Sequence, residues 1–258
     1  LVKKYQAKLK RADSGDVTGQ FVLEGDPDNP APAELNARLN NENYRGFRLL
    51  PDRTVKTKQR QDNVQFAAMV ESVDESFGRV LTRLNELSLD ERTIIIFTSD
   101  NGGMSAANFG NPKRVVSPMQ LDAAFSTSNL PLRGGKGWLY EGGIRVPLLV
   151  WWPAKGRAVV CEVPVVSTDF FPSILEMTGI SADQQQTVDG VSLTGCLSRA
   201  AEPKRKAIYW HFPHYTKHGL QSPGRAIRAG DYKLLEYFEH GTVQLFNLST
   251  DPGEQHDL

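Results

Sequence analysis

Residues 93–103, Thr93-Ile94-Ile95-Ile96-Phe97-Thr98-Ser99-Asp100-Asn101-Gly102-Gly103, decide how the rest of the chain is read. A β-branched run without polar alternation suits a strand covered on both faces, as in a parallel sheet between helix layers. In open α/β sheets ligands bind beyond the carboxyl ends of the strands, and there this sequence places two adjacent side-chain oxygens. Asp100 offers an anionic oxygen and Asn101 a neutral carbonyl, both suited to a hard cation such as Ca2+ or Mg2+. Asp-Asn-Gly is equally the chemistry of an ordinary tight turn, so the motif alone leaves both readings open.

Upstream of it, Phe66, Val70, Val73, Phe77, Val80, Leu84 and Leu87 recur at alternating spacings of four and three. That predicts a helix of about seven turns with one apolar stripe facing a core. Asp62 is the expected N-cap, with Gln65 closing a capping box. Glu71, Asp74 and Glu75 lie opposite the stripe and are expected to meet water. Residues 15–51 carry Asp-Pro, Asn-Pro and Asn-Asn pairs with no sustained period, and read as an irregular surface excursion with one helical turn at 33–39. The basic group Arg53, Lys56, Lys58 and Arg60 reads as a solvated loop, although an anionic ligand would also suit it.

Downstream, residues 131–153 read PLRGGKGWLYEGGIRVPLLVWWP. Lys136 is flanked by Gly134, Gly135 and Gly137, which leaves its ammonium and the neighbouring amides open to an anion. Glu141 and Arg145, four residues apart, are expected to pair and fix the turn, and 144–152 to enter a second buried strand. Residues 167–179 read as a helix with Asp169 near its start, Phe170 and Phe171 in the core and Gly179 just past its end. From 206 the pattern changes to short strands at 207–212, 225–228, 233–238 and 242–248, a small antiparallel sheet. His211 and His214 are polar candidates on its first strand and loop; three apart, they could bind a metal only on a helix, which Pro213 between them and the strand-like flanks oppose, and the plain alternative is solvent-exposed histidines.

Composition excludes several classes. In 258 residues, 30 basic side chains balance 30 acidic ones, so there is no global attraction to nucleic acid or anionic lipid and any anion site must be local. No apolar run approaches the roughly 20 residues of a membrane span. Cys161 and Cys196 are too few and too far apart for a disulfide scaffold or a CxxC metal site; they are read as ordinary thiols or one incidental bridge. The chain opens on Leu1, and lysines and Arg11 interrupt any apolar signal core, so it is expected to continue upstream.

Four segments in succession carry a resemblance: the helix with VESVDES, the strand ending SDNGG, the segment GGKGWLYEGGIRVP, and the terminal LFNLSTDPGEQ. In order, spacing and wording they resemble the type I sulfatases of the alkaline phosphatase superfamily along roughly residues 62–258, most closely the bacterial branch acting on carbohydrate or aryl sulfates, where WHFPHY and AIRAGDYKL recur. The resemblance implies an α/β alkaline-phosphatase-like sandwich with a mixed sheet flanked by helices, contributed by residues 1–205 with 1–61 as irregular lead-in. Residues 206–258 would add a small C-terminal antiparallel α+β subdomain. It implies that Asp100 and Asn101 are Ca2+ ligands, with Mg2+ as the alternative, that Lys136 contacts the sulfate oxygens, and that His211 and His214 border the pocket for a sulfated small molecule or glycan. The family's nucleophile is a formylglycine made from Cys in a CysXaaProSerArg or CysXaaAlaXaaArg motif, which neither Cys161 nor Cys196 begins, so that region is expected upstream of Leu1. The parent is expected in the periplasm or secreted. Two alternatives stay open: a phosphodiesterase or phosphatase relative, which would use paired Zn2+ or Mn2+ and several His ligands that the metal segment lacks, and a catalytically inactive remnant.

Overall fold

The computed structural model describes residues 21–24, 55–58, 61, 63–105, 126–155, 158–181, 186–198, 203, 205–214, 221–238 and 241–258. Two short strands open it, β1 (Phe21–Glu24) and β2 (Val55–Lys58), paired antiparallel from Phe21↔Lys58 to Glu24↔Val55. Part of the expected irregular excursion is thus a strand, and Lys56 and Lys58 lie on its partner rather than on a loop; Phe21, Val22 and Val55 are residues that favour extended backbone. The helical turn expected at 33–39 lies outside the described residues.

Helix α1 (Val64–Glu86) forms where the three/four spacing places it. Its cap is Asn63, whose Oδ1 accepts the Phe66 amide at 2.9 Å. The expected cap, Asp62, lies outside the described residues. The helix ends as Ser88 turns to a φ of 54° and the Leu89 amide donates back to the Leu84 carbonyl at 2.9 Å. The stripe does not meet the core expected for it: Val64 and Ala68 are buried, while Val70, Val73 and Val80 are more than half exposed. Periodicity reports helical geometry, but burial needs a second layer, and the described residues bring none over these positions.

Two compact units emerge from the chain. One comprises Arg79–Phe97 and Leu148–Ile208. In it β3 (Ile95–Thr98) pairs with β4 (Leu148–Trp151) as a two-stranded sheet, with Phe97, Leu149 and Trp151 exposed rather than covered on both faces. The short helix α2 (Glu141–Ile144) belongs to the other unit. Helix α3 (Phe170–Thr178) follows a 3-10 turn at Ser167–Asp169 and stops at Gly179, whose φ of 73° is left-handed. Phe171, expected in the core, is exposed.

Asp169 organises this unit. Fully buried, it accepts the Val166 amide at 2.9 Å and the Val191 amide at 3.0 Å and pairs with the Arg205 guanidinium. Ser173 extends the node, donating to the Asp169 carbonyl and accepting the Leu193 amide at 2.9 Å. The segment before α4 (Thr194–Leu197) is thereby tied to α3, and a Cys161–Cys196 disulfide ties α4 to the stretch before the helix. Of the two readings open for the cysteines, the bridge is the one found.

The other unit comprises Leu1–Gly78, Thr98–Pro147 and Tyr209–Leu258. Its centre is the four-stranded sheet β5 (Ile208–Phe212), β6 (Gly224–Ala229), β7 (Tyr232–Tyr237) and β8 (Val243–Asn247), in that order, with β6–β7 and β7–β8 antiparallel and boundaries within two residues of those read from sequence. A two-residue turn, Gly230-Asp231, joins β6 to β7, with Gly230 at a φ of 58°. Alternation puts Lys233, Leu235 and Tyr237 on the inner face of β7 and Gln244 and Phe246 on that of β8. Against Ala226, Leu235, Phe246 and Leu248 pack Trp138, Leu139 and Tyr140, so the segment just after Lys136 is part of the sheet's own core. No described helix is long and apolar enough to cross a membrane.

Replacing Asp169 by Ala would orphan two amides and leave a largely buried guanidinium unpaired, so it is expected to cost about 3–5 kcal/mol, the range for breaking a buried pair. Arg83→Ala, removing an exposed pair with Glu86, should cost less than about 0.5 kcal/mol. Urea unfolding of the three proteins measures both, and equal losses would contradict the assignment.

Candidate functional site

Two backbone bonds bring the Asp-Asn loop and the lysine loop together, and a third closes the lysine loop on itself. The Lys136 amide donates to the Gly103 carbonyl at 3.1 Å, the Gly102 amide to the Gly143 carbonyl at 2.9 Å, and the Gly142 amide to the Arg133 carbonyl at 2.7 Å. Glycine is required at these contacts. A Cβ on Gly102 would overlap the Gly142 carbonyl oxygen, and one on Gly143 would overlap the Trp138 carbonyl oxygen. Gly134 and Gly137, on either side of Lys136, hold φ of 73° and 91°.

Two polar side chains that sequence reading passed over stitch the same place. Asn129 accepts the Gly103 amide at 3.0 Å and donates to the carbonyls of Gly103 at 2.8 Å and Gly134 at 3.0 Å. Buried Ser105 donates to the Gly134 carbonyl at 3.0 Å. Lys136, Asp100 and Asn101 therefore sit on two loops locked to each other. Lys136 is half-buried and makes no ion pair among the described residues; Asp100 is exposed. Asp100 and Asn101 supply two oxygen donors, which fits the chemistry of a hard cation and covers part of a shell of six to eight. Among the described residues no group of three or more His, Cys, Asp or Glu gathers as a metal cluster.

Behind the lysine loop, the short helix α2 (Glu141–Ile144) begins on a buried ion network. Glu141 Oε1 meets Lys233 Nζ at 3.0 Å, and the same ammonium meets Glu254 Oε1 at 2.8 Å. Lys233 and Glu254 are wholly buried. The other Glu254 oxygen accepts the Glu141 amide at 2.6 Å. Arg228, opposite Lys233 across β6 and β7, approaches Glu141 at 3.6 Å. The expected Glu141–Arg145 pair is present at 3.9 Å but is the longest of these contacts, and Arg145 is mostly exposed. The turn is held chiefly by Lys233, 92 residues on, and not by its neighbour. A lysine at an inward position of a strand, between Leu235 and the hairpin, was the sequence signal for it: a buried ammonium needs carboxylates.

Burial pushes the Glu254 carboxyl above its ordinary value of 4.5, and the Glu141 charge pushes the same way, against the pull of the Lys233 ammonium and the Glu141 amide. Burial also drives the Tyr237 hydroxyl well above its usual range, with Tyr140 beside it adding to the shift.

The two histidines lie on and just after β5, the edge strand of the four-stranded sheet. His211, exposed on β5, has its ring 5.6 Å from that of Phe238, and His214 meets Phe212 edge-on at 5.8 Å. Their contacts are thus with the aromatic side chains of their own sheet region. Arg225 lies over the same Phe238 ring at 5.9 Å and pairs with Glu236 at 2.6 Å.

Comparison with known proteins bears on all of this. The sulfatase family profile matches residues 29–180, and a second profile, the C-terminal region of N-sulphoglucosamine sulphohydrolase, matches residues 135–258. A sulfatase of Formosa agariphila is 32% identical over 217 residues, covering 77% of this chain and 36% of that protein. A sulfatase structure from Pseudoalteromonas sp. aligns at 28% identity and a TM-score of 0.52, over 74% of this chain and 37% of the other. A structure solved with its substrate, D-glucosamine-2-N,6-O-disulfate, shares the fold at 24% identity and a TM-score of 0.53, over 76% of this chain and 35% of its own. The chain spans little more than a third of the length of these relatives.

Two outcomes follow from the packing and the buried charges. Gly102→Ala, forced against backbone, should destabilise, whereas Gly78→Ala, with nothing within 4 Å in the middle of α1, should stabilise by about 0.5–1 kcal/mol. Chemical denaturation gives both signs. Since the folded chain holds the Glu254 proton more tightly than the unfolded chain, its contribution to stability is complete below 4.5 and is lost as pH rises through the folded value. Stability followed across that window should therefore fall less with rising pH in Glu254→Gln than in the unsubstituted protein; a steeper fall would reverse the sign assigned here.

Proposed function

The chain belongs to the sulfatase family, and from that premise we propose that it supplies part of the active site of a hydrolase acting on sulfate esters of carbohydrates or aryl alcohols. The observation that carries the reading is the union of the Lys136 loop with the Asp100–Asn101 loop through the Lys136 amide and Asn129. Hydrolysis of a sulfate ester breaks an S–O bond, and negative charge grows on the departing oxygen and on the sulfate oxygens as it breaks. A half-buried ammonium with no carboxylate of its own among the described residues can give its donors to those oxygens, and glycines on either side keep other side chains out of its way.

Asp100 and Asn101 would hold Ca2+ or Mg2+, which when bound would neutralise sulfate charge. Cys161 and Cys196 are bonded to each other, so the formylglycine nucleophile is assigned to neither. His211 and His214 would contact the sugar or other group that carries the sulfate. A sulfated amino sugar is the favoured class, supported by the match of residues 135–258 to the N-sulphoglucosamine sulphohydrolase profile and by the ligand of the fold relative. The disulfide supports an oxidising location, periplasmic or secreted.

The test uses the full-length protein that carries this sequence, with a chromogenic aryl sulfate, D-glucosamine 6-O-sulfate and the matching phosphate esters. Sulfate release is expected, and Lys136→Ala should lower kcat and kcat/KM together by about 100-fold or more. His211→Ala and His214→Ala should raise KM for the sugar sulfate and leave the aryl sulfate nearly unaffected. Phosphate release without sulfate release would overturn the reaction class; equal losses on both sulfates would overturn the role of the histidines.

A further inference from the structure

The C-terminal turn reaches back to both ends of the lysine loop. At one end the Arg133 guanidinium donates to the Glu254 carbonyl oxygen at 2.9 Å. At the other, the Glu141 amide donates to Glu254 Oε2 at 2.6 Å. Between these two anchors lie Gly134, Gly135, Lys136 and Gly137, a stretch with little stiffness of its own because glycine leaves so many backbone conformations open, followed by Trp138, Leu139 and Tyr140, which are buried in the sheet's core. The Gly142 amide closes the same loop on the Arg133 carbonyl. The fit is close along the turn: a Cβ added to Gly253 would stand 2.9 Å from the Pro131 carbonyl oxygen.

Glu254 also carries two marks of a residue kept for a purpose. It is a non-glycine residue at a φ of 52°, in the left-handed region that costs an L side chain energy. Its carboxylate is wholly buried, held by the Lys233 ammonium on β7. An exposed turn has no need of either feature.

We infer that Glu254 is a positioning residue for Lys136: by clamping Arg133 and Glu141 at once, it sets the span of the glycine loop and so the place of the ammonium relative to Asp100 and Asn101. The inference rests on the reading of Lys136 as the group that holds the sulfate. Glu254 does not touch substrate; it acts through the loop, with Lys233 fixing its carboxylate from the sheet side.

A double-mutant cycle in the full-length protein separates positioning from mere support. Glu254→Gln keeps the shape and one acceptor but removes the charge that Lys233 grips. It should lower kcat for a chromogenic aryl sulfate about ten- to a hundred-fold, with KM changed little, because displacement of the ammonium is felt where charge develops. Combined with Lys136→Ala, it should add almost nothing: the double variant should stay within about three-fold of Lys136→Ala alone, since no ammonium is left to misplace. Losses that multiply would make Glu254 a structural residue only, and wild-type kcat in Glu254→Gln would end the proposal outright. Should Glu254→Gln not fold, Arg133→Leu opens the other tie, keeps apolar packing against the Tyr140 ring, and is judged by the same cycle. Full activity in Lys136→Ala by itself would instead overturn the sulfate reading, a result read on that single variant and so distinguishable from failure of the clamp.

Discussion

A lysine buried on the inner face of a strand sets the terms for the site-bearing unit. Lys233 has no water to solvate its charge, so Glu141 and Glu254 must come to it, the first from the lysine loop's far end and the second from the C-terminal turn. A buried ion pair is weak evidence of stability, because removing charges from water costs about as much as their attraction returns. What it supplies is specificity of arrangement. The docking of residues 133–143 on the sheet serves both carboxylates, the Glu141 amide and the Arg133 guanidinium together.

On that foundation apolar packing and glycine do complementary work. Trp138, Leu139 and Tyr140 fill the sheet's core, with the Leu139 amide donating to buried Gln221 at 2.7 Å and the Tyr140 hydroxyl to Gln244 at 2.8 Å. Glycines 102, 103, 134, 135, 142 and 143 then let two loops meet backbone to backbone. The result presents Lys136, Asp100 and Asn101 on two loops held by backbone hydrogen bonds, by Asn129 and by a packed core. The second unit is built on different terms, around the Asp169 node and a disulfide, and displays an apolar surface at Leu149 and Trp151.

Much of this was legible in order along the chain. The helix from its three/four spacing, the four strands from alternation between turn residues, the left-handed stop at Gly179 and the two oxygens after β3 all follow from local rules. What misled was burial. The stripe on α1, the run 94–97 and Phe171 read as core because hydrophobicity signals a preference for burial, not the presence of a layer to provide it. The cap fell on Asn63 because the sequence offers Asp62 and Asn63 side by side, and only backbone geometry decides which is in register with the first free amides.

The sequence by itself determined the family and the order of the long helix, the strand at 95–98, the second helix and the four C-terminal strands, and it singled out Lys136, Asp100 and Asn101, since each depends on residue types at short, fixed spacing. Tertiary structure alone decided the partnership of Glu141 with Lys233 in place of Arg145, the choice of a disulfide over free thiols, and the closing of the lysine loop by Glu254 more than a hundred residues away. The physical reason is the same in each case. Local rules record what a side chain prefers, whereas the partner of a buried charge is whichever opposite charge the packed backbone brings within about 3 Å of it.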